Sequence, residues 1–263
     1  RVGTYRDWFG HCPVSTFGPN DILLIGGRPA ERRRFLDLLV SQSDPLYLEH
    51  LLVYNRSLLN RNRLLSDRRD DRTLEAYEEQ MVRHGAYLYR KRVEILGVCQ
   101  ETFADFYGLI GGGSEQGSLR YEPSISCKES SVEAWENVFY NTLKNNRKRD
   151  FELGHSSVGL QRDDIRILLD KWPAKTHASQ GQRRSLALAL KLSSAFCLQQ
   201  YLSDTMVFLV DDAFSELDDA RVGRVYPLIR GHGQVLMATP AEAVPFETDM
   251  AQAMVRSGSV VPL

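Results

Sequence analysis

Two short stretches of the 263-residue chain hold residues whose types and spacing could do chemistry. The first, residues 206–218, reads MVFLVDDAFSELD. Its unbroken apolar run predicts a strand buried on both faces, with Asp211 and Asp212 where that strand leaves the sheet. That edge is where open α/β sheets bind ligands. One carboxylate there can hold Mg²⁺, directly or through water, and a second beside it can orient and polarise an attacking water. The plain alternative is that Asp-Asp ends a strand and starts a turn, which aspartates often do. The second stretch, residues 176–192, reads THASQGQRRSLALALKL and opens a helix that is apolar on more than one side. Ser179 with Gln182 three residues later fits a capping box. Gly181 fits a bare cap poorly, because glycine in a first turn costs roughly 1 kcal/mol relative to alanine. It makes sense where something must approach the backbone. Free N–H groups, a serine hydroxyl and the positive helix end together form a phosphate cradle, and a cap and an anion site do not exclude each other.

These groups need a scaffold, and the flanking sequence supplies one. From about residue 155 the pattern alternates: DDIRILL as a strand, GQRRSLALALKLSSAFCLQQYLS as a helix, and TMVFLVDD as a buried strand. DARVGRVYPLIRG then reads as a helix and GQVLMAT as another buried strand. That order predicts an α/β fold with a mainly parallel sheet covered by helices. Ahead of it the sequence is helical. Pro29 suits a first turn before the stripe Phe35, Leu36, Leu39 and Val40. Leu48, Leu51, Leu52, Leu58, Leu59 and Leu65 recur at heptad-like spacing. So do Leu74, Tyr77, Met81, Leu88, Ile95, Cys99 and Phe106. The polar SDRRDDR between these two runs predicts an antiparallel helical hairpin, or short coiled-coil arm. After GLIGGGSEQGS comes an expected strand, SLRYEPSISC, and a helix capped by Ser130 with Glu133, ending in the basic KNNRKRD.

Composition bounds the rest. The chain is 43% hydrophobic and 25% charged with a formal net charge of -1, so total charge argues neither for nor against nucleic acid. Cys12, Cys99, Cys127 and Cys197 lie far apart, without metal-ligand spacing, which fits scattered thiols in a reducing compartment. The six histidines form no ligand pair either. No apolar run approaches the roughly 18 residues of a membrane span, and no signal peptide is visible. The opening RVGTYRDWFG, without Met, reads as the start of a fragment or trimmed chain.

Ser-Gln-Gly-Gln opening a helix, then an apolar strand ending in two acids, then Ser-Glu-Leu-Asp, is the motif order of the ATP-binding-cassette and SMC-type ATPases. The segments GRPAERRRFLD, YNRSLLNRNRLL, SQGQRRSLALALKL and LVDDAFSELDDAR strongly resemble the bacterial recombination-repair family RecF, from about residue 14 to about 240. GLQRDDI resembles the family's Gly-Pro-His-Arg-Asp-Asp segment with Leu160 and Gln161 substituted, and MATPAEAVPFETD matches more loosely. The resemblance implies an ATPase lobe of the ABC/SMC type plus a helical arm. Residues 1–27 would end the lobe, 28–150 would form the arm, and 151–263 would hold the signature, Walker B and D-loop motifs. It further implies head-to-tail homodimers in which Ser179, Gln180, Gly181 and Gln182 meet the γ-phosphate of ATP held by the partner. Asp211 would serve Mg²⁺ and Asp212 the hydrolytic water, and Ser215 to Asp218 would be the D-loop at the interface. On that basis the full-length protein would be a weak DNA-dependent ATPase of the cytoplasm and nucleoid, clamping gapped or junction DNA. It would act with RecR, RecO and RecA in DNA repair, recombination, replication and the SOS response.

One departure stands out. The family's P-loop, Gly-x-x-x-x-Gly-Lys-[Ser/Thr], occurs nowhere in the 263 residues. Gly112 and Gly117 have the glycine spacing, but Ser118 and Leu119 follow, and no lysine means no reach to the β/γ-phosphates. The chain alone is therefore expected neither to bind ATP tightly nor to hydrolyse it. Arg61, Arg63, Arg68, Arg69, Arg147, Lys148 and Arg149 are the candidates for tracking DNA phosphates, if they share a face. Interleaved acids leave open that they only solvate the helices. Arg32 to Arg34 suit packing against the lobe, since one helical turn cannot aim three successive arginines the same way. Two other readings stay open: a scaffold module whose motifs are relics, and another short-armed SMC-like ATPase.

Overall fold

The computed structural model describes residues 13–68, 72–202, 206–212, 217–230, 233–239, 251–256 and 258–262. After strand β1 (Val14–Phe17), a 3₁₀ turn and the short helix α1 (Leu23–Gly26), helix α2 (Pro29–Ser43) starts with Pro29 in its first turn. Asp44 ends α2 and caps α3 (Pro45–Ser66), its carboxylate accepting from Leu46 N at 3.0 Å. Helix α4 (Arg72–Gly111) has 40 residues, about 60 Å at the helical rise. Its first half runs antiparallel to α3. Asp44 takes the Tyr87 hydroxyl at 2.6 Å, Tyr47 takes Arg92 Nε at 2.9 Å, and Leu65 and Leu74 share a small cluster at the far end. The expected hairpin is therefore present.

Helix α5 (Val132–Leu153) lies against both arms of the hairpin, and Gly85 makes the close approach possible. A Cβ added there would stand 2.4 Å from Phe139 Cε1 and 3.1 Å from Tyr54 Cε2. The cap of α5 is Ser131, which accepts from Ala134 N at 3.2 Å, and not Ser130. The helix also continues past the basic run to Leu153, where Gly154 takes a left-handed φ of 71°. Glycine bears that conformation without strain.

The second half of α4 leaves the hairpin and lies along α7 (Gln180–Tyr201), which follows the short helix α6 (Ala174–His177). Thr102 and Ser193 hydroxyls meet at 2.6 Å, and Ser193 Oγ donates to Cys99 O at 2.8 Å. Helix α7 is buried from Leu186 through Leu190 and again at Leu192, Ala195, Cys197 and Leu198, the all-round apolarity of a core helix. Cys99 and Cys197, 98 residues apart, are buried with their sulfurs 2.9 Å apart, so these thiols are not scattered.

Helix α7 supports a parallel sheet in the order β1–β5–β6, with β5 (Val207–Asp211) central and β6 (Gln234–Ala238) after helix α8 (Asp219–Arg230). Phe17 pairs with Val210, and Val210 with Met237. The strand read from DDIRILL is real but belongs elsewhere. As β3 (Asp164–Leu169) it pairs antiparallel with β2 (Gly117–Glu122) and with β4 (Trp172–Pro173). Its alternation, Ile165, Ile167 and Leu169 inward with Arg166 outward, is that of a sheet with one wet face. Residue 150 falls within α5, and the β2–β3 pairing spans it. A short antiparallel pair, β7 (Ala253–Arg256) with β8 (Ser259–Pro262), completes the described chain.

Candidate functional site

Ser179 closes the start of α7 with a complete capping box. Its hydroxyl accepts from Gln182 N at 3.2 Å, and Gln182 Oε1 accepts from Ser179 N at 2.7 Å. Ser179 and Gln180 are exposed, while Gly181 and Gln182 are half-buried. One turn later the helix is anchored: Ser185 Oγ donates to Gly181 O at 3.0 Å, and buried Arg184 donates to Asp212 O. An exposed, donor-rich turn thus sits on a helix that cannot move independently of the core.

Arg184 also ties that turn to the end of β5. Asp211 is the last residue of β5 and is exposed; Asp212 follows with a left-handed φ of 50°, its N–H donating to Ala238 O at 2.9 Å. Aspartate tolerates this conformation better than most residues. Asp211 borders a groove of about 640 Å³ lined by Thr16 to Asp21, Leu209 to Asp211 and Leu236 to Ala238. Its oxygens, with those of Thr16, Asn20 and Asp21, are the hard donors Mg²⁺ prefers. Among the described residues no cluster of three or more His, Cys, Asp or Glu could form a metal site by itself. The residues of the α7 turn do not line this groove. Ser215 lies outside the described residues. Asp218 caps α8, accepting from Arg221 N at 2.9 Å and facing Arg221 Nε at 3.3 Å.

Three residues that sequence reasoning missed join these pieces: Glu115, Arg184 and Arg221. Glu115 accepts from Gln182 Nε2 at 2.7 Å and from the Tyr107 hydroxyl at 2.7 Å. Arg221 stands 3.8 Å from Glu115 and donates to Ser185 Oγ at 3.2 Å. Burial and the neighbouring Glu115 push the Tyr107 hydroxyl's pKa up, so it stays a donor. Glu115 is an isolated charge in sequence, while Arg184 and Arg221 stand among other charges, and nothing local distinguishes any of the three from a solvated one.

The basic candidates divide. Arg61 is not on the surface: it is completely buried, with Nε and Nη2 on Glu78 at 3.1 and 2.9 Å and Nη1 on Asp150 at 2.8 Å and Ser156 at 2.7 Å. It continues the inward stripe of α3, Tyr54, Ser57, Arg61 and Leu65, at helical spacing. That stripe was the available signal. Arg147 is half-buried and paired with Glu75 and Glu78. Arg63, Arg68, Lys148 and Arg149 are exposed, and Arg69 lies outside the described residues. Arg68, Arg147 and Lys148 come together around a groove of about 460 Å³, with Phe151 and Glu152. Arg32 forks onto Asp164 at 2.7 and 2.8 Å and Arg33 donates to Asp163 O at 2.8 Å, while Arg34 is exposed. Among the described residues no helix is long and apolar enough to cross a membrane.

No family model matches the chain. Among curated proteins it is similar to the DNA replication and repair protein RecF of Agathobacter rectalis, 38% identical over 218 residues, covering 81% of this chain and 58% of that protein. It is also similar to RecF of Lysinibacillus sphaericus, 33% identical over 263 residues, covering 96% of this chain and 71% of that protein. The chain thus spans between about half and three quarters of the length of these relatives. Among solved structures, the recombination mediator protein RecF-ATPrS of the RecFOR pathway superposes with a TM-score of 0.86 at 29% identity, covering all of this chain and 71% of that one. The ATP form of RecF from the same pathway gives 0.82 at 30% identity. Identity at this level over nearly the whole chain, on one shared fold, establishes that the chain belongs to the RecF family of DNA replication and repair proteins.

Proposed function

We propose that this chain is the signature-bearing portion of an ATP-gated DNA clamp in recombinational repair. The observation that carries this is the α7 turn. The turn, exposed at Ser179 and Gln180 and half-buried at Gly181 and Gln182, is rigidly based and apart from the groove beside Asp211, which suits a cradle for a phosphate delivered by another subunit. ATP would supply the γ-phosphate that bonds two subunits head to tail, and Mg²⁺ would neutralise its charge. Asp211 would hold the ion, Asp212 would orient the water, and Ser215 and Asp218 would line the interface. The Arg68–Arg147–Lys148 groove, with Arg63 and Arg149 beyond it, would track the phosphates of gapped or junction DNA. The intact clamp would work with RecR and RecO in the cytoplasm to help place RecA. Without a Gly-Lys-[Ser/Thr] sequence, these 263 residues would neither hold ATP tightly nor cleave it.

Sedimentation of this chain mixed with a P-loop-bearing RecF and a non-hydrolysable ATP analogue tests the proposal. Nucleotide-dependent pairing that is lost in Ser179→Arg is the expected result. Pairing indifferent to nucleotide would point instead to a scaffold role.

A further inference from the structure

The side-chain amide of Gln182 in the α7 turn already donates, and the partner is a carboxylate. Its Nε2 donates to Glu115 Oε1 at 2.7 Å, while its Oε1 accepts from Ser179 N. Glu115 comes from the loop between α4 and β2, so the residue that meets the turn belongs to the end of the long arm helix. Its other oxygen accepts from Tyr107, and Arg221 stands at 3.8 Å, beyond hydrogen-bonding distance. Arg221 in turn faces Asp218 at 3.3 Å.

From this we infer that Glu115 is a positioning residue of the half-site: it sets the direction of the Gln182 amide and holds it off an incoming phosphate. The inference rests on the half-site proposed above. In the lone chain the Glu115 carboxylate takes the donor that a γ-phosphate would need, and its charge stands beside the place an anion would enter. For Gln182 to turn outward, Glu115 must release it. Arg221, a short movement away, is the cation that can receive the freed carboxylate, and it already holds Asp218 at the head of α8. Phosphate capture, the end of the arm and the D-loop side of the interface are thus linked through one acid and one base.

The test distinguishes a positioning role from ordinary structural support, because the two predict opposite signs. A supporting residue, once removed, weakens pairing. Glu115→Gln should instead tighten nucleotide-dependent pairing with a P-loop-bearing RecF by roughly three- to tenfold. That is the net worth of one ordinary hydrogen bond, the Gln182 donor freed for the phosphate. Glu115→Asp, which keeps the charge, should stay within about twofold of wild type. In a Gln182→Ala background, Glu115→Gln should give less than half of its gain. Thermal denaturation checks that each variant is folded. Unchanged or weaker pairing in Glu115→Gln, with Ser179→Arg still abolishing pairing, would overturn the role of Glu115 and leave the half-site standing. Pairing unaffected by Ser179→Arg would remove the half-site, and this inference with it.

Discussion

Replacing Arg61 separates a structural arginine from a DNA-tracking one. Its guanidinium is fully buried, and its four hydrogen bonds go to Glu78, Asp150 and Ser156. Removing one partner of a buried ion pair typically costs about 3–5 kcal/mol, because the other charge is stranded. Here the stranded acids retain partners. Asp150 still accepts from Ser157 N at 2.8 Å and Ser157 Oγ at 2.6 Å, and Glu78 keeps Arg147. Arg61→Ala should therefore fall at the lower end, about 3 kcal/mol, which a domain of ordinary stability survives. Urea denaturation reads this as a lower midpoint at unchanged slope. A salt titration of DNA affinity under folding conditions should give the wild-type slope for Arg61→Ala, and a slope reduced by about 1 for Lys148→Ala. A stability loss under 1 kcal/mol would refute the buried network. A flattened slope in Arg61→Ala would refute its exclusion from the DNA surface.

The hairpin and its packing give further outcomes. His50 stacks on Tyr87 and meets His84 edge-on, with the two Nδ1 atoms 3.2 Å apart; burial lowers both pKa values, and His84 is lowered further by its neighbour's charge. The folded chain thus resists protons that the unfolded chain takes up near pH 6.5, so stability should be full above that pH and fall as pH drops below it. Melting temperatures from pH 7.5 to 5 check this, and His50→Asn/His84→Gln should flatten the lower part of the curve. Gly85→Ala drives a methyl into Phe139 and should cost about 1–3 kcal/mol by thermal unfolding. Gly97→Ala, on the same helix with nothing within 4 Å, should stabilise by up to about 1 kcal/mol.

Much of the fold was legible because it is written locally. A capping box needs four consecutive residues, so Ser179 and Gln182 could be named, and they pair as expected. The hairpin and the parallel strands are present, but of the α3 leucines that suggest the hairpin only Leu65 is buried, while Leu52 and Leu59 are exposed. Strand β5 is buried on one face at Phe208 and Val210 and half-buried on the other, and β6 is half-buried to exposed. The misplacements have equally physical causes. The order of elements suggests that β3 joins the parallel sheet, yet its alternation with Arg166 outward specifies a sheet with one wet face. The charge of Arg61 suggests the surface, although its register with Tyr54 and Leu65 puts it inside.

The sequence by itself determined the capping-box turn and the strand-ending acids that the proposal assigns to a phosphate, and the order in which they come, since such motifs depend on neighbours a few residues away. Only the tertiary structure decided which charges are partners. Glu115 reaches Gln182 across 67 residues, Arg184 reaches Asp212 across 28, and Arg61 reaches Asp150 across 89. A lone charge in sequence looks the same whether it faces water or a buried counterion, and the difference arises only when the chain folds and the cost of desolvation has to be met.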